Sequence, residues 1–274
     1  MDRPAEDVYE ARLALSGAPA SASYQQVAGD RLPWTLMEFH QSLRVGALVG
    51  ITIRHVGREG PPADRQSPGV LLREWEAERL TDVLVGAGFS LEDSAVDRRS
   101  ADRLDVLATR ARTLPDVVGP NMRLLLCGLN PSVYSADVGT GFARPGNRFW
   151  PAALAAGIVT RDRDTRHAFL EHGIGMTDLV KRATPRADAL SKEEYREGAA
   201  RLERLVRWLR PRVVVFVGLG GYRDAVDRLA TAGLQQGRFG GVAAYVMPNP
   251  SGINAHVTVD DLAAHLRAAA DLAR

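Results

Sequence analysis

Three short polar stretches of this 274-residue chain carry residue types that can work on a bound molecule. The first is Gly128, Leu129, Asn130, Pro131 and Ser132, directly after the apolar run LLLC at residues 124–127. A carboxamide can hold a water by accepting from it or donating to it, and a following proline restricts the backbone that carries it. The second is GTGFARPGNRFW, residues 139–150. There Gly139, Gly141 and Gly146 permit close backbone approach, Phe142 offers a flat stacking face, and Arg144 and Arg148 can meet phosphate; Asn147 adds a second amide. The third is MPNPSGINAH, residues 247–256, where Asn249, Ser251 and the amides near Gly252 can bind a phosphate or a base edge. Ile253 has the character of an apolar wedge, and His256 follows as a phosphate contact or a plain loop histidine.

Each stretch also has a plain reading. Asn-Pro is an ordinary turn, the glycine-rich loop needs only Phe149 and Trp150 to anchor the next helix, and NPSG caps the last helix. Taken singly, the plain readings prevail.

The elements around these stretches give them a common place. RLLLCGL, RVVVFVGL and VAAYVMPN read as strands and IGMTDLV as a short apolar segment. RFWPAALAAGI, SKEEYREGAARLERLVRWLR, GYRDAVDRLATAG and VDDLAAHLRAAADLAR read as helices. Short apolar strands between amphipathic helices predict an open, mostly parallel sheet covered on both faces, a three-layer α/β/α class. Ligands of such sheets sit beyond the carboxyl ends of the strands, where both Asn130 and Asn249 fall.

The first half has a different texture. WTLMEFHQSLRVG predicts a helix ended by Gly46, ALVGITIRHV a strand, LLREWEAERLTDVLVGAGF a second helix, and SLEDSAVDR with RLDVLATRAR a closing strand pair. Residues 1–118 carry a net charge of −4 and residues 119–274 a net charge of +6, together the +2 of the whole chain. The sign changes at the loop-like RTLPDVVGPN, residues 112–121. The expected domains are therefore 1–115 and 119–274, with an anionic partner open to the second. The single cysteine, Cys127, excludes an intrachain disulfide, a multi-cysteine cluster and a cysteine zinc site. No apolar run reaches the ~18 residues that span a bilayer and no signal peptide is visible, so a cytoplasmic place with no membrane partner is expected.

Taken in order, Gly-Leu-Asn-Pro, Gly-Phe-Ala-Arg-Pro-Gly-Asn-Arg-Phe-Trp, Met-Thr-Asp-Leu-Val-Lys-Arg-x-Thr and Asn-Pro-Ser-Gly resemble the mismatch-specific uracil/thymine-DNA glycosylases (the Mug/TDG family) over about residues 121–274. The order of elements in residues 1–111, with its Leu-Arg-x-Gly turn, resembles the C-terminal half of a class I methyltransferase. That family's cofactor-cradling glycine loop has no counterpart here: SGAPASAS is expected not to serve, because no apolar strand precedes it. The first half is therefore read as a smaller N-terminal α/β fragment that does not bind S-adenosylmethionine.

The glycosylase resemblance implies roles residue by residue. Asn130 matches the asparagine that positions the hydrolytic water, within a substrate-binding loop of Gly128, Leu129, Pro131 and Ser132. Phe142 matches the aromatic that stacks on an extruded base, with Asn147 beside it. Asn249 and Ser251 match the second site loop. Ile253 matches the residue that fills the hole left in the duplex, Gly252 and Asn254 touch the opposite strand, and Arg144 and Arg148 meet DNA. The implied partner is double-stranded DNA holding a G·U or related mismatch, met by a monomer. No cofactor or metal is implied, and no lysine is placed for a Schiff base, so a monofunctional enzyme that leaves an abasic site is expected. Two positions depart from the family pattern. Ser132 replaces a usual glycine and adds a hydroxyl that bears on base preference. Asp178 stands where relatives vary, either assisting the water or serving as a solvated or capping aspartate. Two further readings stay open at this point: a catalytically weak lesion binder on the same fold, and a methyltransferase.

Overall fold

The computed structural model describes residues 7–15, 25–58, 74–97, 103–186, 189–252, 254 and 257–274. Ile253 and His256, both singled out above, lie outside the described residues. The chain divides into two compact units, Met1–Ala111 and Arg112–Arg274.

In the first unit, strands β1 (Asp7–Leu15), β2 (Gln25–Ala28), β3 (Leu48–Arg58), β4 (Phe89–Asp97) and β5 (Arg103–Arg110) form one sheet in the order β2-β1-β3-β5-β4. Every pairing is antiparallel. Helices α1 (Leu32–Ser42) and α2 (Glu74–Gly86) pack together. The expected helix, strand, helix and strand pair correspond to α1, β3, α2, and β4 with β5. β1 corrects the sequence reading, because a strand does precede SGAPASAS. Its alternating burial, with Tyr9 and Ala11 inside, escapes a search for a continuous apolar run. SGAPASAS itself lies outside the described residues, and the next described element is the antiparallel strand β2, not a helix whose N-terminus could face a phosphate.

In the second unit, β6 (Leu124–Gly128), β7 (Ile174–Asp178), β8 (Val213–Val217), β9 (Gly233–Phe239) and β10 (Val242–Met247) form a sheet in the order β7-β6-β8-β10-β9. All but the β9–β10 pair are parallel. β6, β7 and β8 are buried along their whole length, as strands covered on both faces must be. Around them run α3 (Val133–Val138), α4 (Phe149–Ala155), α5 (Thr165–His172), α6 (Lys192–Leu209), α7 (Leu219–Ala225) and α8 (Val259–Asp271). α4 packs on α8 and α6 on α7. Ser191 with Glu194, and Thr258 with Asp261, form reciprocal capping boxes that start α6 and α8. The sequence reading missed α3, α5 and β9. α3 and α5 are single short helices, and β9 is an edge strand with most residues in solvent, so none shows a sustained period.

The chain enters this sheet at β6, steps to β7 on one side and crosses to β8 on the other. The switch point thus lies at the carboxyl ends of β6 and β8.

Candidate active site

A cleft of about 650 Å3 opens at that switch point. Its wall takes Leu129 to Ser132 from the end of β6, Asp178 from β7, Val217 from β8 and Asn249 from the loop after β10. Parallel strands make this convergence unavoidable, since their ends share one edge.

Asn130 is held by its nitrogen. Nδ2 faces the carbonyls of Pro131 (3.2 Å) and Arg182 (3.0 Å) and the hydroxyl of Thr184 (2.7 Å). Thr184 gives its own proton to the Arg186 carbonyl (2.8 Å), so it accepts from the amide. With three acceptors on one side, the amide orientation is chemically determined, and Oδ1 is left as the acceptor for whatever occupies the cleft. Pro131 contributes a carbonyl to this grip as well as a restricted backbone.

Asn249 is held the other way. Its Oδ1 accepts from the Ser251 amide (2.9 Å), and its carbonyl accepts from Asn254 Nδ2 (3.2 Å). The site therefore offers an anchored acceptor at Asn130 and a donor, Nδ2, at Asn249.

Phe142 stacks on Phe149, with ring centroids 4.2 Å apart and an interplanar angle of 26°. Its backbone is left-handed at φ 58°, a conformation uncommon outside glycine and frequent where a site demands it. Trp150 Nε1 donates to the Gly141 carbonyl (2.8 Å) and pins the same loop from behind. Phe149 and Trp150 are fully buried anchors, as the plain reading of this stretch requires. Asn147 accepts from the Phe149 amide (2.9 Å), so its oxygen caps α4 while its NH2 remains to the cleft it lines.

Gly128 pairs with Asp178 across β6 and β7. A Cβ at Gly128 would collide with the Asp178 carboxylate and touch the Phe142 ring, so only glycine lets both side chains reach the cleft floor. Asp178 is buried, and burial is the main cause that pushes its carboxyl up to about 6. Asp116 adds to the rise, while Lys181 and Arg201 pull against it. Beneath it, Asp116 binds Lys181 Nζ (2.7 Å), Arg201 Nη1 (2.9 Å) and Thr177 Oγ1 (2.6 Å). Burial alone would raise Asp116, but these partners outweigh it and hold Asp116 low. Arg201 also donates to the Asp178 carbonyl (3.0 Å). Burial, with Asp178 adding to it, drives the Cys127 thiol well above its usual range, which makes it a poor nucleophile.

Two expected roles change. Arg148, assigned to DNA, points its guanidinium at the carbonyls of Ser251 (2.8 Å), Asn254 and Val257. Its own amide donates to the Pro250 carbonyl (2.9 Å), so it clamps the third stretch onto the second. Gly252 belongs to the same closure, because a Cβ there would stand 2.7 Å from the Gly146 carbonyl. Ser132 spends its hydroxyl on α3. It accepts from the Ser135 amide (3.1 Å) and donates to the Ser135 hydroxyl (3.0 Å), a helix cap as much as a cleft-lining group. Arg144 stands exposed at the cleft and Ser251 lines it, while Asn254 braces the loop.

Sequence reasoning missed Thr184, Asp116, Lys181 and Arg201. Thr184 closes the MTDLVKRAT motif, which was its signal. Arg201 falls three residues after Gly198 and four before Leu205, on the buried stripe of α6, where an arginine must find a partner.

The family model of the uracil DNA glycosylase superfamily matches residues 115–273, more than half of the chain. The chain belongs to that superfamily. A solution NMR structure from Methanosarcina acetivorans, described as a "putative Uracil DNA glycosylase", is similar at 22% identity, with a TM-score of 0.42 over 60% of this chain and 98% of that one. Superfamily membership supports a DNA glycosylase with DNA as the substrate.

Proposed function

We propose that the protein is a monofunctional DNA glycosylase of the mismatch-specific type, which hydrolyses the glycosidic bond of uracil opposite guanine in double-stranded DNA and leaves an abasic site. The observation that carries this reading is the anchored Asn130 amide, with its free oxygen directed to a cleft that also holds Phe142 and a buried carboxyl.

A base inside a duplex must leave the stack before its glycosidic bond is reached, at a cost of a few kcal/mol that is least for a mismatch. In the cleft the base lies on Phe142, whose ring cannot tilt away from Phe149. Asn130 Oδ1 accepts one hydrogen of a water. Asp178, ionised above about pH 6, accepts the other as the water attacks the sugar carbon. The bond's electron pair leaves with the base, and Asn249 Nδ2 and nearby backbone amides meet the growing negative charge. Lys181 is committed to Asp116 and is nearly buried, which favours hydrolysis over a Schiff-base route and strand cleavage. Arg144 at the mouth, and the loop around Gly252 and Asn254, are assigned to the DNA backbone and the opposite strand. The N-terminal unit takes no catalytic part in this reading.

The test is a labelled duplex with one G·U pair, incubated with the protein and developed with alkali, beside G·T, A·U and single-stranded uracil. A break at uracil that appears only after alkali, strongest opposite guanine, is expected. An unbroken G·U strand would remove the glycosylase reading; equal cutting of all uracil substrates would remove only the mismatch preference.

A further inference from the structure

Residues 112–118, which read as a boundary loop, are built into the second unit. Arg112 holds Asp137 through two hydrogen bonds of 2.6 Å. Thr113 donates its hydroxyl to the Lys181 carbonyl, and Asp116 is buried between Lys181 and Arg201. Val117 exchanges two backbone hydrogen bonds with Met176 of β7, at 2.8 and 2.9 Å. Leu114 stands among these attachments. It is buried, lines the same cleft as Asn130 and Asp178, and brings Cδ1 to 4.0 Å from where a Cβ on Gly141 would stand, next to Phe142. It also precedes the first residue of the superfamily match.

We propose that Leu114 is a specificity-determining wall of the base pocket, limiting the size of base that can lie against Phe142. This inference rests on the glycosylase reading above. The polar groups of the cleft, Asn130, Asp178 and Asn249, orient a base by its hydrogen-bonding edges but set no limit on its bulk. Apolar walls do that, and only if they cannot recoil. Leu114 is held on both sides, by the side chains of Arg112 and Thr113 on Asp137 and the Lys181 carbonyl and by the backbone of Val117 on β7. One methylene in such a pocket is worth about 10–200-fold in discrimination.

The experiment compares wild type, Leu114→Ala and the volume-conserving Leu114→Met by single-turnover base release. Its substrates are duplexes carrying uracil, thymine, 5-hydroxymethyluracil or ethenocytosine opposite guanine. The expected result is a rise of about tenfold or more in the rate on at least one enlarged base relative to uracil in Leu114→Ala, with Leu114→Met close to wild type. Because the readout is a ratio within one preparation, partial loss of folded protein cancels. Ratios that stay constant in Leu114→Ala overturn the inference while leaving the glycosylase reading intact. If wild type releases no base from any duplex, the glycosylase reading falls. Ligand-detected NMR with free uracil and free thymine then decides the wall: a relative affinity that shifts toward thymine in Leu114→Ala keeps it, and an unchanged one rejects it.

Discussion

The two sheets of this chain make opposite use of their strand ends. In the N-terminal sheet, β1, β3, β4 and β5 run antiparallel to their neighbours, so successive ends alternate between the two edges. In the second, β6, β7, β8 and β10 are parallel and deliver Gly128, Asp178, Val217 and Met247 to one edge. Both units also bury charge. Asp7 sits with His55 and Arg79 at 3.4 Å each, while Asp116 sits with Lys181 and Arg201 at 2.7 and 2.9 Å. Burying charges demands pairing in both cases. The second network differs in underlying Asp178, a carboxyl that opens on a cleft. A buried network bears on chemistry when strand ends gather beside it.

The largest expected effect on that comparison comes from Asn130→Ala. It leaves the parallel sheet intact and removes an acceptor oriented by three separate groups, so single-turnover release of uracil should fall about 10²–10⁴-fold. Release at the wild-type rate would break the link between the β6 end and the reaction.

Asp178→Asn should cost about 100-fold at pH 8. In wild type the rate should fall roughly tenfold per unit below about pH 6 as Asp178 takes a proton, and the variant should lack that acid limb. Stability should move the opposite way. The folded carboxyl titrates at about 6, above its unfolded value, so its neutral form stabilises the fold. That contribution is full below the unfolded pKa of about 4 and is lost as pH rises through 6. Asp178→Asn should therefore be more stable than wild type by about 1–3 kcal/mol in urea melts at pH 8 and show little advantage at pH 4. A variant destabilised at pH 8 would mean the carboxylate is a structural partner instead.

Phe142→Ala should lower kcat/KM by about 5–150-fold, the value of about 1–3 kcal/mol for stacking one base, with most of the loss in KM. Ser132→Ala should cost about 1 kcal/mol in urea melts through the lost cap of α3, with the ratio of rates across bases unchanged. A shifted ratio would return Ser132 to the recognition role. Smallest on base release is Ile53→Ala in β3. A fully buried isoleucine should cost the N-terminal unit about 2–5 kcal/mol with no change in release rate, and a parallel loss of rate would show that the two units work as one.

Much of this was legible in the chain. The runs LLLC, VVVFV and YVM announce covered strands because no polar residue interrupts them, and the loops after the first and last carry the amides that line the cleft. Other parts were hidden for physical reasons. β1 alternates and so carries no continuous apolar run. Arg148 has the composition of a phosphate contact, but its guanidinium is spent on carbonyls more than 100 residues away in the chain. Ser132 lines the cleft as expected, but its hydroxyl is also bound to a helix residue three positions on, which its type alone does not announce.

By itself, the sequence determined which amides stand at the carboxyl edge, since the order of strands and loops carries Asn130 and Asn249 there whatever the packing details; Asp178 joined them only once IGMTD paired with β6 as a strand. Tertiary structure decided what each can do. Which end of the Asn130 amide is free depends on Arg182 and Thr184, some fifty residues away, and the ionisation of Asp178 depends on burial and on Asp116, Lys181 and Arg201. Hydrogen-bond direction and desolvation belong to neighbours in space, and no local reading of the chain contains them.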